Sequence, residues 1–209
     1  MKKILSISYI VPLAAAFFFT VTALAQSVEL SPSHDAFLEN SSRYNNQYLR
    51  LESTSTRVRK AFLMFDKSSV QGTVTSMALQ LNGYSDSGSG PVDVYLSNNT
   101  IWTSSNLSTS NQPGQDIFLG TLSGPFGLND FKTLNNIDAS LVTGTSFSIV
   151  LVHTGATGDD LAFASTGPYD SGSGADLVAP VSRQPKHIVD YTAGSSSVPV
   201  TGVNLSPNS

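Results

Sequence analysis

A chain of 209 residues with 40% apolar residues and no cysteine has room for one all-β domain with short tails, and its core needs no disulfide framework. Charged residues make up only 12% of it, and Ser, Thr, Asn and Gly take their place. Setting aside Lys2 and Lys3 as part of a leader leaves nine Lys and Arg against fifteen Asp and Glu, a net charge of −6, which argues against nucleic acid as a partner.

Lys2-Lys3, the apolar run 11–21 and Ala23-Leu24-Ala25 have the pattern of a secretory signal cleaved after Ala25. A retained anchor is the alternative, and Pro12 and the small-x-small site favour removal. No cysteine follows the run to carry a lipid. No later apolar stretch is long enough to span a bilayer, so no membrane contact is expected after cleavage. The signal is therefore assigned to 1–25 and the folded domain to 26–192.

Residues 27–38 read as a short strand, a Pro turn and an entry at Asp35-Ala36-Phe37-Leu38, followed by a turn-rich stretch at 40–46. The centre of the chain is 49–70. Leu49 and Leu51, then Phe62 and Met64, alternate with Arg50, Glu52 and the charges around Arg59 and Lys60. That period of two predicts two strands joined by a Ser-Thr-Ser-Thr turn. The second, 57–66, is nearly continuously apolar at Ala61-Phe62-Leu63-Met64-Phe65, which places it centrally with both faces covered. With 74–81, the three runs are expected to form a sheet core. Further strands are expected at 92–96, 117–121 and 146–153, the last rich in β-formers, with 83–91 as a loop between the first of these and the core. Residues 193–197 read as a linker.

Several of these stretches carry a resemblance. Leu49-Arg50-Leu51-Glu52, Arg59-Lys60-Ala61-Phe62-Leu63-Met64-Phe65-Asp66 and Ala78-Leu79-Gln80-Leu81 resemble the DNRLRE family, which includes the family-96 carbohydrate-binding modules attached to alginate lyases. Asp35-Ala36-Phe37, Ile137-Asp138-Ala139, Phe163-Ala164-Ser165 and Pro185 to Tyr191 follow in the family's order, so the likeness runs from Asp35 to Tyr191. In the Trp102 to Pro113 segment, Ser104 stands where an acid is usual and Ser110 where a second Trp is usual. The tail 198–209 resembles the first strand of a bacterial Ig-like repeat of type 2. On this reading the chain is the front of a longer modular protein, with 193–209 as linker and start of the next domain. The resemblance implies a non-catalytic, monomeric module linked to further domains, with alginate as the first substrate to test.

The expected fold is an antiparallel β-sandwich of jelly-roll type, with eight to ten short strands and no substantial helix. No nucleophile elbow, phosphate loop or His-x-x-x-His pair occurs, so no enzyme activity is expected of the module. The strongest lead is basic clustering: Arg43, Arg50, Arg57, Arg59, Lys60 and Lys67 fall within 25 residues. Tyr48, Arg50 and Glu52 share one strand face; Arg57, Arg59 and Ala61 share another. If those faces align, guanidinium groups converge on a shallow surface, and their forks suit the carboxylates of an anionic polysaccharide. Tyr44 and Tyr48 are candidates for an aromatic platform, with Lys60 and the strand-end His153 as further ligand contacts. Arg50 or Arg59 tied structurally to Glu52 or Asp66 is the alternative for the arginines, and surface decoration for His153. Trp102 reads as packed rather than as a sugar platform.

No cofactor is required by this reading. A structural calcium ion is the candidate metal, held by hard oxygens from Asp35, Glu39, Asp159 and Asp160. The run Asp-Ser-Gly-Ser-Gly, at 86–90 and again at 170–174, is read as a flexible turn. A structural or adhesive spacer without sugar affinity is the competing reading of the whole.

Overall fold

The computed structural model describes residues 24–155, 160–169 and 177–193. The signal segment 1–23, Asp159, the second Asp-Ser-Gly-Ser-Gly run and the tail lie outside the described residues. Fourteen strands run in chain order: β1 (Ala25–Leu30), β2 (His34–Glu39), β3 (Ser42–Tyr44), β4 (Tyr48–Ser53), β5 (Val58–Asp66), β6 (Gly72–Asn82), β7 (Val92–Ser97), β8 (Ile117–Leu122), β9 (Phe131–Ile137), β10 (Ser146–His153), β11 (Leu161–Ala164), β12 (Pro168–Tyr169), β13 (Leu177–Val178) and β14 (Lys186–Ala193). Two single turns of 3-10 helix are the only helical pieces among the described residues.

The strands make an antiparallel β-sandwich. One sheet has four strands in the order β1-β14-β6-β9; the other has eight, with β11-β4-β5-β10-β7-β8 in line and the β2–β3 hairpin attached to β5; β12 and β13 form a separate pair. Between them lies a core of alternate residues: Leu63 and Phe65 of β5, Phe147, Ile149 and Leu151 of β10, Val92, Val94 and Leu96 of β7, facing Met77, Leu79 and Leu81 of β6 and Val189 of β14. The count exceeds the eight to ten strands expected, partly because two-residue strands such as β12 and β13 are too short to show a period. β6 is also long, at eleven residues.

The sequence expectation that 49–52, 57–66 and 74–81 form one sheet is corrected. β4 and β5 are hairpin neighbours, but β6 belongs to the opposite sheet, between β14 and β9. The link after Asp66 carries the chain across the core, so the apolar set of β6 packs against β5 rather than beside it. Strand alternation reports which face is buried and not which sheet the strand joins.

β5 is central, with both faces covered. It pairs with β10 along one edge and β2 along the other. Its outward residues Phe62 and Met64 lie under the β7–β8 connection, which lays Trp102 and Leu107 over Ala36, Leu38 and Val150 as a second small core. Trp102 is 1% exposed, and its Nε1 donates to Ser148 Oγ at 2.9 Å. The loop at 83–91 is pinned rather than free. Gly88 exchanges backbone hydrogen bonds with Phe126, and a Cβ on Gly90 would stand 2.0 Å from His153 Nε2.

Candidate functional site

β4 follows the end of β10 along the same edge of β5, and there the charges gather. Arg59 lies directly between Glu52 of β4 and Glu39 of β2 in the cross-strand register, an arrangement that favours opposite charges. Its Nε donates to Glu39 Oε2 at 2.7 Å, and its Nη1 lies 3.1 Å from Glu52 Oε2 and 2.6 Å from Asp160 Oδ2. Arg50 Nη1 donates to the same Asp160 oxygen at 2.5 Å, and its Nη2 lies 2.8 Å from Asp86 Oδ2. Arg57 lies 3.5 Å from Glu52 and 3.7 Å from Glu39.

Arg50, Arg57 and Arg59 therefore converge as the strand pattern predicts, but four carboxylates converge with them. The face that Arg59 shares with Ala61 is the inward one: Ala61 is fully buried and Arg59 is 8% exposed. Burial works against the Arg59 charge, and the bonds from Asp160 and Glu39 outweigh it, raising its pKa above the ordinary value. Arg59 ties three strands and a loop at one end of the sandwich.

The accessible part of this region is aromatic. Tyr48 pairs with Tyr84, ring centroids 5.8 Å apart. The Arg50 guanidinium lies 5.6 Å from the Tyr48 centroid, and the Arg183 guanidinium 5.8 Å from that of Tyr84. Each is a cation–π contact, and all four side chains are half-buried. Arg183 forms no ion pair with any described residue. Tyr84 and Arg183 were not among the sequence candidates. Tyr84 sits in 83–91, read as a loop, and Arg183 in the single 3-10 turn Val181–Arg183, and only the fold sets them beside Tyr48.

The remaining candidates lie elsewhere. Tyr44 stacks on Phe37, centroids 5.0 Å apart, and pairs with no ring of the Tyr48 patch. His153 is 2% exposed, packed against Gly90 and Gly155, so both readings of it, as a ligand contact and as surface decoration, are corrected: the two glycines leave room for its ring inside. Lys60, next to Arg59, points to the outer face of the sheet. It lines a cleft of about 350 Å³ with Thr109, Gln112, Gln115 and Val150.

The carboxylates named for calcium divide between two tasks. Asp35 is fully buried and accepts from Ser165 Oγ, Thr166 N and Thr166 Oγ1 at 3.0, 2.7 and 2.9 Å. Burial raises its pKa, and those donors partly offset the rise. Glu39 lies four residues further along β2, about 13 Å away at strand spacing, and points at Arg59 with Asp160. Asp35, Glu39 and Asp160 thus do not share one cation site. No group of three or more potential metal ligands occurs among the described residues.

A β-sandwich that exposes a tyrosine–guanidinium patch and a shallow polar cleft has the architecture of a ligand-binding module. The comparison with protein families makes the class definite: the chain belongs to carbohydrate-binding module family 96, whose model matches residues 26–170. No curated protein matches it. The match stops short of β14, which the structure nevertheless places between β1 and β6.

Proposed function

We propose that this module is non-catalytic, belongs to a secreted modular polysaccharide-degrading protein, and binds an anionic polysaccharide such as alginate at the Tyr48–Arg50–Tyr84–Arg183 patch. The observation that carries the reading is the guanidinium over each of two adjacent tyrosine rings. Aromatic faces pack against sugar rings, and arginine forks hold carboxylates bidentately. Arg183 is free to do so, while Arg50 is held in place by Asp86 and Asp160. Lys2-Lys3, the apolar run and the small-x-small site support export.

Affinity electrophoresis of the chain from Gln26 onward, on alginate, pectin, carrageenan and neutral glucan gels, tests this. Retardation is expected on the uronate gels, unchanged by EDTA, and reduced by Arg183→Glu or Tyr84→Ala with thermal midpoints preserved. Retardation on neutral glucans alone would sink the anionic reading. The competing spacer reading draws on the neutralisation of the arginine cluster by four carboxylates, and absence of retardation on every gel would favour it.

A further inference from the structure

The outer face of the eight-stranded sheet holds a second set of groups suited to a sugar, which the tyrosine–arginine patch does not use. Lys60 is flanked in register by Leu38 and Val152, neither of which can neutralise it. Among the described residues it forms no ion pair. Among those residues its Nζ hydrogen-bonds only Gln115 Oε1, at 3.2 Å, which leaves donors unused on an ammonium that carries three.

No described carboxylate lines the cleft beside it, and Thr109, Gln112 and Gln115 supply hydroxyl and amide groups. Its volume of about 350 Å³ lies at the lower end of ligand pockets, roughly 300–1,000 Å³. The two acids of the neighbouring β7–β8 region are held by hydroxyls: Asp93 by Thr121 at 2.6 Å and Asp116 by Ser97 at 2.6 Å.

The next row of the same face continues the floor. Val150 is paired with Tyr95, and Tyr95 with Phe118. The Tyr95 and Phe118 rings lie 5.5 Å apart, and Phe118 is 55% exposed. Neighbouring strands are about 4.8 Å apart, so Phe118 stands roughly two strand spacings from the cleft floor. An ammonium and several amides at the cleft, and beyond them an aromatic pair whose Phe118 is exposed, thus lie on one face of the sheet.

We propose that this face holds a second glycan subsite. It takes an anionic sugar residue, with the charged group at Lys60 and the adjoining ring against Tyr95 and Phe118. The inference rests on the carbohydrate-binding reading but not on the Tyr48 patch. A module with both sites holds two chain segments at once, gaining avidity on a polymer without tighter individual contacts. The anion is a uronate carboxylate or a sugar sulfate, both of which an ammonium binds as a point charge.

Isothermal titration calorimetry of the chain from Gln26, with an alginate tetrasaccharide and separately a carrageenan tetrasaccharide, reads the stoichiometry directly and identifies which anion is taken. Two sites per chain are expected. Lys60→Gln and Phe118→Ser should each weaken one of them at least tenfold, Lys60→Arg should retain it, and Tyr84→Ala should remove the other. All these side chains are partly or well exposed, so unchanged thermal midpoints check that each variant folds. A single site that Tyr84→Ala abolishes and Lys60→Gln leaves intact overturns the second subsite alone. A single site lost only with Lys60→Gln upholds the subsite and overturns the tyrosine–arginine patch. No heat with either oligosaccharide, and no shift of the Lys60 or Val150 amide resonances, overturns both.

Discussion

His187 stands between the rings of Phe65 and Phe147, edge-on to both at centroid distances of 5.2 and 5.0 Å. Among the described residues, neither of its ring nitrogens has a hydrogen-bond partner. Burial lowers its pKa from 6.5 to about 4, because the imidazolium would lose its hydration among aromatic carbons. As pH falls, the unfolded chain takes up this proton before the folded one does. The stability that His187 contributes is therefore complete above pH 6.5 and is lost between 6.5 and about 4, a change of about 3 kcal/mol. Urea denaturation at pH 7.5 and 4.5 should show a smaller loss on acidification in His187→Leu than in the wild type. Equal losses would mean that the ring finds a proton acceptor inside. Arg59 and Lys60 give the other lesson at this scale. They are adjacent in the chain and alike in charge, yet the pleat turns one into a buried carboxylate network and the other into an open cleft.

The β7–β8 connection acts as a cover for β5. Without it, Phe62, Met64 and Val150 would face water, and the continuous apolar run of β5 would be a liability on an exposed sheet face. Trp102 fastens the cover: it packs edge-on to Phe62 with centroids 6.2 Å apart and bonds to Ser148, whose hydroxyl in turn donates to Asn99 O at 2.6 Å. Trp102→Ala is expected to cost about 3–5 kcal/mol, the range for deleting a large buried ring. Trp102→Phe should cost less, mainly the lost bond to Ser148, about 1 kcal/mol. Equilibrium unfolding in urea measures both, and a cost below about 1 kcal/mol for the alanine variant would show that the cover packs without Trp102. A strand with five consecutive apolar residues, 61–65, was readable as covered on both sides. What covers it was not, because the covering segment has little regular periodicity of its own.

At the scale of the whole molecule, the sandwich is closed by its last strand. β14 pairs with β1 from Gln26↔Tyr191 to Leu30↔His187 on one side and with β6 on the other, and it contributes Val189 and His187 to the buried interior. A chain ended at residue 170, where the family match stops, would leave β6 and β1 without their shared neighbour. Two strands' worth of backbone donors and acceptors would then be unpaired. Such a truncation is expected to be insoluble or to lack cooperative unfolding, whereas a chain ended after Ala193 should unfold in one transition. Circular dichroism melting of the two distinguishes these outcomes. The closing strand also explains why the likeness read from the sequence ran so far: Pro185 to Asp190 alternates buried and partly exposed residues, up to the irregularity before Tyr191.

The all-β class, the central and doubly covered position of β5, the packed state of Trp102 and the family were all legible before the fold was known. Each of these is written in local patterning, where alternation, composition and motif order suffice. Only the tertiary structure decided which sheet β6 joins, where the acids stand relative to the arginines, and which tyrosine meets Tyr48. Glu39, Asp86 and Asp160 come from three separate segments, and Tyr84 and Arg183 lie almost a hundred residues apart. Whether a cluster of arginines is a binding surface or a neutralised strut depends on which carboxylates the fold brings to it, and strand alternation carries no information about partners that distant.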